Sequence, residues 1–150
     1  MSWSRCFLFA ASSCLLTTPA QSQVEWLEAA VISRDLDYAP DVEYANARDM
    51  LDVFMPKDAE EVPVVVFFHG GALQNGSKNA GEHLAARLIP DGIGVVSANY
   101  RLSPNVMHPS HVQDAAAAFS WVIQNIKRYG GDPDNVYLSG HSAGAYLVAL

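Results

Sequence analysis

Gly140-His141-Ser142-Ala143-Gly144 constrains this chain more than any other stretch, because it lies between the apolar run Val136-Tyr137-Leu138 and the apolar run at residues 145–150. The pattern is G-x-S-x-G set between a strand and a helix. A serine that attacks carbonyls has to sit on a tight, strained strand-to-helix turn, which lifts its Oγ above the sheet and leaves N–H groups of the new helix free beneath it. Glycines suit both flanks, since a Cβ there meets the neighbouring strand or helix. Taken alone, five such residues are equally well a plain Gly-Ser turn, so the rest of the chain has to decide.

Upstream, Val64-Val65-Val66-Phe67-Phe68 runs into His69-Gly70-Gly71-Ala72, the form of a buried parallel strand entering a glycine-rich loop. Loops of this kind aim backbone N–H groups at a developing oxyanion and need small residues to admit a substrate carbonyl. Two further motifs, Asn99-Tyr100-Arg101-Leu102-Ser103-Pro104 and Tyr129-Gly130-Gly131-Asp132-Pro133, fall between that loop and the serine. In this order the four stretches resemble the α/β-hydrolase superfamily, and within it the HGGG-type carboxylesterases and lipases, the hormone-sensitive-lipase-like and feruloyl-esterase-like enzymes. The resemblance extends from about Asp49 to Leu150.

That resemblance implies Ser142 as nucleophile and an oxyanion hole built by Gly70, Gly71, Ala72 and Ala143, with the N–H of Ala143 as one donor and those of Gly71 and Ala72 as others. The chain departs from the family pattern at two positions. Ala72 stands where a third glycine is usual, and Leu73 stands where the feruloyl-esterase-like branch often has Trp. If position 72 needs a positive φ, its methyl group costs about 1 kcal/mol. The family order is serine, then acid, then histidine, so the catalytic Asp or Glu and the His are expected beyond Leu150. At roughly 30 residues per βα unit, two or three further units are then expected, and the 150-residue piece alone is expected to be inactive.

Composition narrows the class. With 50% hydrophobic and 17% charged residues the chain carries enough apolar material for one globular domain. A net charge of −7 speaks against nucleic acid and anionic membrane surfaces as partners. Residues 1–20 stand apart: Arg5 is their sole charge, residues 6–16 are apolar or small, and Thr18-Pro19-Ala20 precedes Gln21. This is the layout of a signal peptide, too short in its apolar part to span a bilayer, so a secreted or periplasmic protein without a stable membrane anchor is expected. Cys14 is a weak match to a lipoprotein site. Cleavage after Ala20 would remove Cys6 and Cys14, the chain's two cysteines.

Residues 21–42 have no clean period, and Trp26, Leu27, Val31 and Ile32 fit either a short packed helix or a cap. Residues 50–55 alternate like a strand and are followed by Pro56-Lys57-Asp58-Ala59, which predicts an antiparallel hairpin. Further strands are expected at 62–69, 94–99 and 136–139, and helices at 79–88 and 111–129, the latter stopped by Gly130-Gly131 and Pro133. Strand and helix alternate three times, so residues 21–150 are expected to form the N-terminal part of a single α/β domain. Its sheet should be doubly wound and mostly parallel, with the site at the carboxyl ends of the strands.

The remaining polar candidates have plainer explanations. His108, His111 and Asp114 have spacing suggestive of a metal site, yet Pro109 breaks the helical face they would share, and no metal or organic cofactor is expected. Asp114 is expected as a structural acceptor, His69 as a residue that orients the glycine loop, and His141 as a packing or substrate contact. Arg101 either braces the loops or is an ordinary surface arginine, and Gly76 and Gly81 are read as plain loop and helix-entry glycines. The expected activity is hydrolysis of a small-molecule carboxylic ester through an acyl-enzyme. The alternatives are a non-catalytic hydrolase-fold binding protein, or a peptidase, arylformamidase or prenylcysteine methylesterase on the same fold.

Overall fold

β-branched and aromatic runs form the centre of the sheet. In the computed structural model, which describes residues 25–42 and 44–150, Val62–Phe68 (β3) and Gly94–Ala98 (β4) lie side by side in parallel, from Val64 opposite Gly94 to Phe68 opposite Ala98. Every residue of β4 is buried, as befits a strand covered on both faces. On the other side of β3 lies Gly131–Gly140 (β5), also parallel, with Phe68 opposite Gly140. The expected signal peptide, residues 1–20, lies outside the described residues.

Ala30–Asp37 (β1) and Met50–Pro56 (β2) complete a five-stranded sheet in the order β1-β2-β4-β3-β5, with β2 antiparallel to both β1 and β4. Two expectations are corrected here. Residues 50–59 do not lead into a hairpin with the next strand: β4 is inserted between β2 and β3, because a strand buried at every residue needs a neighbour on each side. The aperiodic segment 21–42 contains a full strand, β1, whose alternation is interrupted by a bulge between Ser33 and Leu36, with Asp35 at φ 54°.

The crossovers bury the two sheet faces in turn. Glu82–Leu88 (α1), preceded by a 3-10 turn at Lys78–Gly81, covers Phe54 and Val95 together with Trp26. Ser110–Asn125 (α2) and Ala143–Ala149 (α3) cover the opposite face, where Val53, Val64, Val66, Phe68, Val96 and Ala98 meet Ala115, Ala118, Val122 and Leu147. The doubly wound α/β expectation is borne out. A 3-10 turn extends α2 to Tyr129, and Gly130, at φ 89°, closes it by donating to the carbonyls of Ile126 and Lys127. No described helix is long and apolar enough to cross a membrane.

Candidate active site

β3 and β5 are neighbours running in the same direction, so the loops at their carboxyl ends emerge together at the switch point of the sheet. The His141 N–H donates to the carbonyl of Phe68 at 3.1 Å and ties the two ends. Ser142, the exposed residue that follows, holds φ 52° and ψ −113°, a conformation that residues with a Cβ adopt only when the surrounding structure imposes it. Its surroundings do so. A Cβ on Gly144 would come within 2.0 Å of the Phe68 carbonyl oxygen, and one on Gly140 within 2.3 Å of the backbone of Gly144. The start of α3 is thereby pressed against the end of β3.

The glycine loop packs directly on this elbow. A Cβ on Gly70 would sit 2.6 Å from Nδ1 of His141 and 3.3 Å from the Cβ of Ser142. Beyond it Gly71, Ala72 and Leu73 all have positive φ, at 118°, 54° and 61°, and the N–H groups of Gln74 and Asn75 both return to the Gly71 carbonyl. Position 72 therefore does need the left-handed region, and its alanine is strained there. Among the described backbone contacts outside helices and strands, the N–H groups of Gly71, Ala72 and Ala143 have no carbonyl partner. The structure thus places Gly70 beside Ser142, leaving no room there for a Cβ, with Gly71, Ala72 and Ala143 following directly along the chain.

His69 lies beneath the loop. It is 1% exposed, stacks on Tyr100 at 4.3 Å between centroids, and its Nδ1 donates to the Gly70 carbonyl at 2.7 Å. The Tyr100 hydroxyl donates to the His69 carbonyl at 2.7 Å. Burial lowers the pKa of His69 from 6.5 and raises that of Tyr100 to about 12, so both groups stay neutral near pH 7. His69 is thus placed as a support for the loop. Gly76 (φ 97°) is more than a plain loop residue, since a Cβ there would lie 2.5 Å from both the Gly70 carbonyl and Nδ1 of His69.

The His111 ring has its partner outside the elbow. Nε2 of His111 pairs with Oγ of Ser103 at 3.2 Å, the Ser103 hydroxyl itself donating to the Val106 carbonyl. Asp114, fully buried, accepts the Arg101 N–H at 2.9 Å, three contacts from the Arg101 guanidinium at 2.6, 2.8 and 3.1 Å, and the Tyr44 hydroxyl at 2.9 Å. Arg101 also lies over the Tyr44 ring at 4.3 Å. It is therefore a brace between α2 and the loop before β2, and Asp114 is its acceptor. A cavity of about 160 Å³ opens between Leu73 of the glycine loop and Tyr146 of α3, with His108 and His111 on its wall.

One group was not anticipated. Lys78, 7% exposed, donates to the fully buried Asp52 at 2.7 Å and to Asp35 at 2.8 Å. Burial pulls the ammonium pKa down, and the hydrogen bonds to Asp35 and Asp52 outweigh it, leaving the group above the ordinary lysine value. The one available signal was Asp52 itself, a carboxylate in an alternating strand whose two faces both prove to be buried.

Residues 51–150 match the family described as BD-FAE. The chain belongs to the BD-FAE family. This BD-FAE chain is 37% identical over 120 residues to esterase LipQ of Mycobacterium tuberculosis, covering 77% of this chain and 28% of that protein. Over 150 residues it is 35% identical to a probable isoprenylcysteine alpha-carbonyl methylesterase of Oryza sativa subsp. japonica, covering 98% of this chain and 34% of that protein. Among solved structures, esterase B of Lactobacillus rhamnosis superposes with a TM-score of 0.73 at 26% identity, over 87% of this chain and 42% of that one. The chain therefore spans about a third of the length of the curated relatives it matches, and the α/β-hydrolase resemblance is borne out.

Proposed function

We propose that this BD-FAE chain carries the nucleophile and the oxyanion loop of a carboxylic ester hydrolase. The reading rests above all on one observation: Ser142 occupies a strained, exposed turn beside Gly70, at the start of a loop that takes positive φ from Gly71 to Leu73. In this reading the Ser142 Oγ attacks the ester carbonyl while a general base takes its proton. The N–H groups of Gly71, Ala72 and Ala143 hold the oxygen on which charge develops. The alcohol leaves with a proton, and water then cleaves the acyl-enzyme and regenerates the hydroxyl. No metal or organic cofactor enters this scheme.

No described histidine pairs with the Ser142 hydroxyl, so the base is assigned to chain outside the described residues, together with its orienting acid. The cavity beside Leu73 and Tyr146 is the place we assign to one arm of the substrate. The relatives' names, esterase and methylesterase, share ester cleavage. Residues 1–20 are proposed to direct export; intact-mass spectrometry of protein from the native host should find a chain starting near Gln21, and a retained Met1 or a lipid on Cys14 would contradict it.

The decisive experiment treats the full-length protein and its Ser142→Ala variant with a fluorophosphonate probe and a panel of acyl esters of graded chain length. Labelling and turnover should both depend on Ser142, with a loss on the order of 10⁶ in kcat. Unlabelled, inactive but folded protein would point to the non-catalytic binding role instead.

A further inference from the structure

The loop at residues 70–77 holds four positive φ angles, at Gly71, Ala72, Leu73 and Gly76, two of them on residues that carry a Cβ. Such a conformation persists only if both ends of the loop are held. The near end is held by β3, by the stack of His69 on Tyr100 and by the Tyr100 hydroxyl. The far end is Lys78.

Lys78 is gripped at backbone and side chain alike. Its N–H donates to Oδ1 of Asn99 at 2.8 Å, its carbonyl accepts the Ser97 hydroxyl at 2.6 Å, and its ammonium reaches Asp52 and Asp35. Asp52, at the centre of this cluster, also accepts the Asp35 N–H at 2.9 Å and the Arg34 guanidinium at 3.2 Å. The bulge in β1 is what brings Arg34 and Asp35 to it. A buried ion pair is a poor way to gain stability, since apolar side chains of the same volume do as well or better. What it adds is direction, because the ammonium is satisfied in one place only.

We propose that Lys78, locked onto Asp52, is a positioning residue for ester cleavage: it anchors the far end of the 70–77 loop and so holds the Gly71 and Ala72 N–H groups in their direction toward the carbonyl oxygen of a substrate on Ser142. This rests on the esterase reading above. Donors of this kind matter where charge builds on the oxygen, so releasing the anchor lowers kcat and leaves ground-state binding nearly unchanged. The positive charge of Lys78 acts little at a distance, because two carboxylates face it.

The test uses the full-length protein with the paired change Lys78→Met and Asp52→Asn, which leaves neither buried charge without its partner. Kcat for a short-chain ester should fall about 10- to 100-fold with KM within about threefold of wild type, and the affinity for a boronic acid transition-state analogue should fall in parallel with kcat. Arg34→Met removes an ion pair from the same cluster without touching the loop, and it should lower thermal stability but leave kcat unchanged. If the paired variant does not fold, Asp52→Asn alone, with Asp35 still holding Lys78, should show a smaller fall of the same kind. Wild-type kcat and analogue affinity in a folded variant would overturn the proposal, as would an equal loss of kcat in Arg34→Met. Ser142→Ala in the same assay separates the two levels: if it keeps its turnover the esterase reading itself fails, whereas if it is inactive and the Lys78 variants are unaffected only the positioning role is lost.

Discussion

At the scale of single residues, the neighbourhood of Ser142 is defined by where a Cβ can and cannot be placed. Gly144→Ala drives a methyl group to 2.0 Å from the Phe68 carbonyl and 2.8 Å from that of His69, both rigid backbone atoms. The expected cost is on the order of 3 kcal/mol, read as a lowered urea midpoint of the full-length protein. Gly92→Ala is the control: its φ is 76° but a Cβ there meets nothing within 4 Å, so about 1 kcal/mol is expected from backbone strain alone. Equal costs for the two would mean that α3 is not pressed against β3. Ala72→Gly works in the opposite direction. With φ at 54°, removing the methyl should leave stability unchanged or raise it by up to about 1 kcal/mol, and should leave ester turnover unchanged or mildly higher. A collapse of turnover would show that the methyl shapes the pocket and that the oxyanion donors are misassigned.

At the scale of elements, the loops at the carboxyl end of the sheet are held by buried polar ties as well as by apolar packing. Asp114 joins α2 to Arg101 after β4 and to Tyr44 before β2. Asp114→Ala removes all of these at once. The expected loss is about 2 kcal/mol, below that for a fully buried pair because the Arg101 side chain remains 27% exposed and partly solvated. It should appear as a lower urea midpoint with an unchanged m-value, and a loss under about 0.5 kcal/mol would reduce Arg101 to a surface arginine. The ties at Lys78 and at Asp114 lie on opposite faces of the sheet. Asp52 shares its face with Phe54, and Asp114 lies on the α2 face.

At the scale of the whole molecule, stability should depend on pH through its buried histidines. Burial lowers the pKa of His69 and of His111 below 6.5, so both are neutral in the folded state when an unfolded histidine starts to take up a proton. Above pH 6.5 neither state gains a proton and these groups contribute no slope. Below it the unfolded chain binds protons that the folded chain resists, so stability falls as pH drops through 6.5 and toward the folded values. The melting temperature of the full-length protein should therefore decline from about pH 7 to about pH 5, with a shallower decline in His111→Gln. Asp35 is no competing cause, because Lys78 holds its carboxyl below 3.8 and its contribution is lost only in more acidic solution. A melting temperature that stays level or rises over that interval would mean that His69 and His111 are hydrated in solution.

Several of these features are local and were legible in the chain. Val64 to Phe68 is apolar enough to be a buried strand wherever it is placed, Gly130 terminates α2 by its own backbone freedom, and Gly140, Ser142 and Gly144 became readable as a strand-to-helix elbow through the apolar runs around them and the glycine loop upstream. The substitution at Ala72 was legible too, although its strain depended on a positive φ that the folded loop supplies. The missing part was pairing. β1 was unreadable because its bulge breaks the period of two on which a strand is recognised, and the place of β4 between β2 and β3 depends on contacts between segments about 40 residues apart. Lys78 and Asp52 are 26 positions apart, and nothing near either one names the other. Short-range periodicity and turn chemistry therefore determined the elements and the elbow, whereas burial of both sheet faces decided which charges had to meet, because an ion removed from water needs a partner that only the folded chain can supply.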